Sequence, residues 1–283
     1  MTCRRLAPAL LFVISAQAAE PAAFTDLAAG TTSHGFGATA LYLNDAGQPF
    51  GARFVHRKTG FTLDLIQVQS VPQAFVWVNS FPVSDRGEPH TQEHLLIGKG
   101  NMGRAFAASE NMTLTEENAF TLQWRTCYHF NTKAGLPVFY DEFKLQLDVL
   151  LHPDYTDEEI RREVRNFGVA GNPATGQLRL EEKGSVYNEM SSSGNNPLRA
   201  LFRQAGLDQY GAGHPLARNA GGEPAGIREM QPDDIRAFHR AHYFLAKMGA
   251  IASLPKGETV ALQLSHFDQI LDQLEPVPSR LKA

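Results

Sequence analysis

Five consecutive polar residues, His90-Thr91-Gln92-Glu93-His94, stand between Pro89 and the apolar Leu95-Leu96-Ile97, and no other stretch constrains the fold as much. A helix gives them a use, because residues four apart lie one turn apart on one face. Pro89 suits a first helical turn, and the pattern predicts a helix carrying His90 to Ile97 that Gly98, Gly100 and Gly103 end. Both imidazoles would then share a face, with Glu93 in reach of water on an ion they hold. The rest of the chain has to support that helix.

A chain of 283 residues, 43% hydrophobic, is long enough to bury a substantial core. Its first residues differ from the rest. Arg4 and Arg5, an apolar run from Leu6 to Ile14 and then Ala16-Gln17-Ala18 match an export signal cleaved after Ala18. That predicts an exported protein, periplasmic or secreted, with no stable membrane anchor, since the run is too short to span a bilayer. Cleavage takes two of the 26 basic residues and none of the 30 acidic ones, so nucleic acid is not an expected partner. Cys3 leaves with the signal and Cys127 stays alone. Any metal must therefore be held by histidine and carboxylate.

Along the chain, Ala38 to Leu43, Ala52 to His56, Phe61 to Gln69 and Ala74 to Phe81 alternate apolar and polar residues with turn signals between them, and are read as strands of one antiparallel sheet. Asn118 to Trp124 and Arg125 to Phe130 are expected to be two more. Helices are expected over Val138 to Leu151, after the capping box Thr156-x-x-Glu159, over Gln177 to Met190 despite Gly184, over Asp233 to Phe244 behind Pro232, and around Thr259 to Leu274. Met248 to Leu254 is an apolar strand. The predicted class is α+β, a mostly antiparallel sheet packed against helices, in a single unit over 19–283.

His-x-x-Glu-His inverts the His-Glu-x-x-His order and is the mark of the inverzincins. His90 and His94 would be ligands to one Zn2+, and Glu93 the base that takes a proton from water. A third ligand must come from elsewhere, with Glu116, Glu117, Glu181, Glu182 and Glu189 as candidates. Glu182 and Glu189, seven apart, would face the same way on one helix. His239 and His242 are a rival pair, although a histidine on a helix face more often packs or is solvated than binds metal. The glycines after His94 invite a phosphate cradle but lack the Lys-Ser/Thr of a P-loop.

Taken together, GEPHTQEHLL, the Glu182-x6-Glu189 pair in EEKGSVYNEM, Asn118-Ala119-Phe120-Thr121 and NAGGEPAGIREMQPDDIRAFHRAHY resemble the pitrilysin, insulinase and presequence-protease group of zinc peptidases, the YNEM and NAGGEP stretches most like the presequence-protease branch. The resemblance implies a zinc metalloendopeptidase acting on short unfolded peptides, with the family's metalloenzyme fold. It implies Glu189 as third zinc ligand and Glu182 as a catalytic carboxylate that orients the site. It also implies Asn118 and Ala119 on an edge strand that pairs with the peptide through main-chain hydrogen bonds. Presequence-protease relatives enclose the peptide between two halves of two related domains each, and the later half supplies an arginine and a tyrosine. Only the first catalytic domain is expected here, so a second related chain or domain is the implied partner. The alternative is a partner-dependent subunit that binds zinc and peptide with little activity alone. Gln92 departs from the family's usual apolar residue, at a position that is neither ligand nor base.

Overall fold

The computed structural model describes residues 20–194 and 196–274. The expected signal over 1–18 lies outside them. Alternation in the first half gives five strands: β1 (Thr32–Ser33), β2 (Phe36–Leu43), β3 (Pro49–His56), β4 (Thr62–Gln67) and β5 (Gln73–Val78). Two helices follow, α1 (Glu88–Leu96) and α2 (Gly100–Thr113). Next come β6 (Thr115–Thr121), β7 (Thr126–Thr132), α3 (Leu136–Leu151) and α4 (Asp157–Val164). A hairpin of β8 (Phe167–Gly171) and β9 (Leu178–Glu182) leads into α5 (Ser185–Ser193) and α6 (Pro197–Tyr210). The order closes with α7 (Pro224–Glu229), α8 (Pro232–His242), β10 (Met248–Leu254) and α9 (Val260–Gln273).

Eight strands form one sheet in the order β1-β2-β3-β4-β10-β5-β7-β6. Every pairing is antiparallel except β4 with β10. One face is buried: Ala52 and Phe54, Leu63 and Leu65, Ala74 and Val76, Tyr128 and Phe130, Ala250 and Ala252 point into it. Phe139, Phe143 and Leu147 of α3 and Leu264, Phe267 and Leu271 of α9 belong to the same core. Phe143 and Phe267 meet edge to face at 5.0 Å, and Phe139 stacks on Phe130 at 5.4 Å, separations at which aromatic pairs add to burial. The fold is that of the expected class, with β6 on a free edge.

Three expectations need correction. The first four predicted strands are not all neighbours in an antiparallel sheet, because the distant β10 (Met248–Leu254) inserts between β4 and β5 and pairs parallel with β4. Of the three glycines expected to end the motif helix only Gly98 does so, following the C-cap Ile97 of α1, whereas Gly100 opens the next helix. Gly98 (φ 78°) and Gly100 (φ 66°) make a turn, and α2 runs on through Gly103. No helix spans Gln177 to Met190: Leu178–Glu182 pairs with β8 and the helix starts at Ser185, so Glu182 and Glu189 lie on different elements. One oxygen of Glu182 accepts from the amides of Asn166, Lys183 and Gly184 at 3.0, 3.2 and 3.0 Å, which turns the chain between strand and helix. The phosphate cradle that the sequence argued against is closed as well, since Glu159 and Asp154 already take the amides of Gly100, Asn101 and Met102.

Candidate metal centre

Helix α1 is polar and yet buried, from Glu88 to Glu93 and at Leu95 and Leu96. Such a helix persists only where its polar groups find partners. Glu88 accepts from Ser84, and the fully buried Gln92 accepts from Tyr155 Oη at 3.0 Å. Gln92 is thus a core hydrogen-bonding residue. The N-terminal turn is set by Gly87 (φ 77°), where a Cβ would come within 2.5 Å of the Gly221 carbonyl oxygen. The Gly221-Gly222 segment therefore lies directly on the start of α1, beside His90.

His90 and His94 stand one turn apart, their rings edge to face at 4.7 Å. Glu189 of α5 faces both: His90 Nε2 is 3.5 Å from one carboxylate oxygen and His94 Nε2 is 3.4 Å from the other. The three residues offer ligand atoms within 4.8 Å of one another. Glu189 is 55% exposed against 10% for the His90 side chain, so the glutamate side of the group is the open one. Among the other candidates, Glu116 pairs with Lys133, Glu181 pairs with Arg179 and Lys183, and Glu117 lies against Glu110. Glu182 makes no hydrogen bond to His90, His94 or Glu189 among the described residues; its second oxygen is buried without a hydrogen bond, and Arg228 stands 3.6 Å away as a loose ion pair.

The carboxylate that orients a ligand candidate is one the sequence reading missed. Glu163 of α4, almost fully buried, meets His94 Nδ1 at 3.2 Å and Lys99 Nζ at 3.0 Å. A signal was there: Ile160, Glu163 and Val164 share the buried face of α4, and a glutamate on an apolar stripe needs a partner. Burial disfavours charge on Glu163, but His94 and Lys99 outweigh it and hold its carboxyl below the usual range. On His94, burial is likewise outweighed, by Glu163 first and then Glu93 and Glu189, and its pKa rises. His90 moves the other way, lowered by burial and by the charge of His94. Its Nδ1 is buried with no hydrogen-bond partner; the Gly221 backbone lies near enough to act electrostatically without meeting hydrogen-bond geometry.

Glu93 lies beside these groups and accepts from Thr121 Oγ1 at 2.5 Å. Burial pushes its carboxyl above the usual range, against the opposing effects of Thr121 and His94. Two imidazoles and one carboxylate, with no thiolate, suit a borderline divalent ion such as zinc, and the Glu163–His94 pair matches the outer support such ligands need. His239 and His242 are not brought together for a metal. His239 Nε2 meets the Leu150 carbonyl and its pKa falls to about 4 through burial, while His242 Nδ1 meets that of Phe238. A second cluster, His56 with Asp268 and Asp272, is already satisfied, since both His56 nitrogens are hydrogen-bonded and Lys58 neutralises Asp272.

A cleft of about 360 Å³ holds His90, Glu93 and Glu189 together with Ala119 to Gln123. At one end of the β6–β7 ladder the Lys133 amide donates to the Leu114 carbonyl, and at the other the Leu122 amide donates to that of Arg125. By the antiparallel alternation, the amides of Glu117, Ala119 and Thr121 therefore point outward. Glu110 takes the first, and the Asn118 side chain takes that of Ala119 at 2.8 Å. Asn118 itself is exposed and does not line the cleft.

No family model matches the chain. Among curated proteins it is similar to the mitochondrial presequence protease of Eremothecium gossypii, 30% identical over 171 residues, 57% of this chain and 16% of that protein. The mitochondrial presequence protease of Gibberella zeae is 29% identical over 206 residues, 69% of this chain and 19% of that protein. The chain thus spans less than a fifth of these relatives. Among solved structures, pitrilysin superimposes with a TM-score of 0.62 at 14% identity, over 83% of this chain and 24% of that one. The inactive domain of a peptidase M16 from Pseudomonas fluorescens also gives 0.62, at 11% identity, over 81% of this chain and 52% of that one.

Proposed function

Starting from a chain of the pitrilysin and presequence-protease family, we propose that it is a zinc-dependent endopeptidase that cuts short unfolded peptides. The observation that carries this reading is the convergence of His90, His94 and Glu189 beside Glu93, in a cleft that runs along a free strand edge. Those three residues would hold one Zn2+. When bound, the ion polarises the scissile carbonyl and acidifies water. Glu93, buried and raised in pKa, is suited to take the water's proton and pass it on, with Thr121 fixing the carboxylate. Glu163 holds the His94 ring, and Glu182 shapes the turn that delivers α5 and so Glu189. An extended peptide would add to β6, its carbonyl replacing the Asn118 oxygen on the Ala119 amide. Main-chain pairing of this kind tolerates many sequences.

Zinc analysis and peptide cleavage test the reading on two variants. Glu93→Gln is expected to keep zinc and lose cleavage, whereas His94→Ala loses both; full activity in Glu93→Gln would sink the mechanism. A second reading, a partner-dependent subunit that binds zinc and peptide, is favoured by the similarity to a domain described as inactive and by the exposure of Glu189. Size-exclusion chromatography beside the cleavage assay separates the two: a monomer that cleaves briskly removes the second, and an inactive monomer rescued by a related chain supports it. No helix of the described residues is long and apolar enough to cross a membrane. Export is proposed from the first eighteen residues alone, the named relatives being mitochondrial. N-terminal sequencing of the mature protein would settle it, a start at Ala19 being the expected result.

A further inference from the structure

Next to the zinc-site cleft lies a larger cavity of about 510 Å³. The two share Gln123, Met190, Arg199 and Asn219, so a molecule in one touches the wall of the other. Three arginines line the larger cavity, Arg199, Arg203 and Arg218, against a single glutamate, Glu223. Arg203 is already committed, to Glu223 at 3.2 Å and Asp85 at 3.4 Å. Arg199 donates to Ser193 Oγ, and neither Arg199 nor Arg218 has a carboxylate partner among the described residues. Met190, Leu216 and Ala217 supply apolar wall. The strand edge leads toward it: two residues past the end of β6, in the turn to β7, Gln123 Nε2 donates to the carbonyls of Pro215 and Arg218 at 2.9 and 2.6 Å, tying the cavity loop to that turn.

We infer that this cavity is a subsite for a carboxylate of the bound peptide close to the bond that is cut, read by Arg199 and Arg218. It rests on the peptidase reading above. Guanidinium groups bind carboxylates in charge-assisted, often bidentate pairs, and the apolar wall accommodates the side chain that carries or adjoins the acid. The carboxylate has two sources, an acidic side chain or a free C-terminus. A peptide threaded along β6 can present either.

Binding and cleavage are measured separately, so the two readings fail separately. N-acetyl-phenylalanine and its amide are titrated, with thermal shift and NMR readouts, into wild type, Arg199→Gln, Arg218→Gln and Arg218→Lys. The free acid is expected to bind about tenfold more tightly than the amide, a preference lost in both glutamine variants and retained in Arg218→Lys. Equal binding of acid and amide by wild type, or an acid preference that survives both glutamine substitutions, would overturn the subsite whether or not the chain cleaves peptides. A second arm uses fluorescent peptides on Glu93→Gln, so that none is consumed. One set carries Glu or Gln near the expected cut with an amidated end, and the other ends in a free or amidated residue. The set whose affinity falls when its charge is removed identifies the source, and indifference in both sets counts against the subsite.

Discussion

Replacing the Glu163 carboxylate by an amide keeps its size but removes the charge facing His94 and Lys99. In Glu163→Gln, zinc affinity is expected to fall about 10- to 100-fold, the usual effect of removing an outer partner from a ligating histidine. Competition against a chelator measures it, with circular dichroism confirming the fold; an unchanged affinity would overturn the orienting role of Glu163. A second residue sets a pH dependence away from the cleft. Burial, then the charges of Glu110 and Glu142, raise Glu117 from an ordinary 4.5 to about 7. The folded state therefore binds more protons than the unfolded state between those values, and its contribution to stability declines as pH rises from about 4.5 to about 7. Because the side chain is only half-buried, the effect is on the order of 1 kcal/mol. Urea titrations across that window should show the slope in wild type and a flatter one in Glu117→Gln.

At the level of elements, the sequence was read well wherever one face of a segment is buried. Met248–Leu254 is the strand its apolar run predicted, and the Thr156 capping box is present, with Thr156 and Glu159 bonded reciprocally. Reading failed where that face is missing. Leu178 and Leu180 of β9 point to solvent and α6 has no buried residue, so neither leaves a periodic signature of a core. The insertion of β10 between β4 and β5 is a long-range pairing that no local window contains. At the site, the motif helix was visible in five residues, but Glu163 could be found only by asking what a carboxylate does on the apolar side of α4. The start of α1 offers a direct test. A side chain at Gly87 meets both a left-handed backbone and the Gly221 carbonyl, so Gly87→Ala is expected to destabilise by roughly 2–3 kcal/mol and to displace His90. Denaturant unfolding reads the first effect and zinc affinity the second.

For the whole molecule, the site gathers ligand candidates from α1 and α5 and an orienting group from α4, so an ion held there would fasten α1 to two helices that lie far from it in sequence. Zinc binding should therefore stabilise the fold itself. With free zinc at a hundred times its Kd, the gain is about 2.7 kcal/mol, seen as a rise in Tm that a chelator reverses and that His94→Ala does not show. The outward edge of β6 has a further consequence. A strand that accepts extended peptides by main-chain pairing also accepts the same edge of another copy, the first step of sheet-to-sheet aggregation. With Asn118 folded back on the Ala119 amide and the exposed Glu116–Lys133 pair beside it, the edge is kept occupied and charged. Asn118 thus shields the edge against self-association, and Asn118→Ala is expected to show itself as turbidity on concentration.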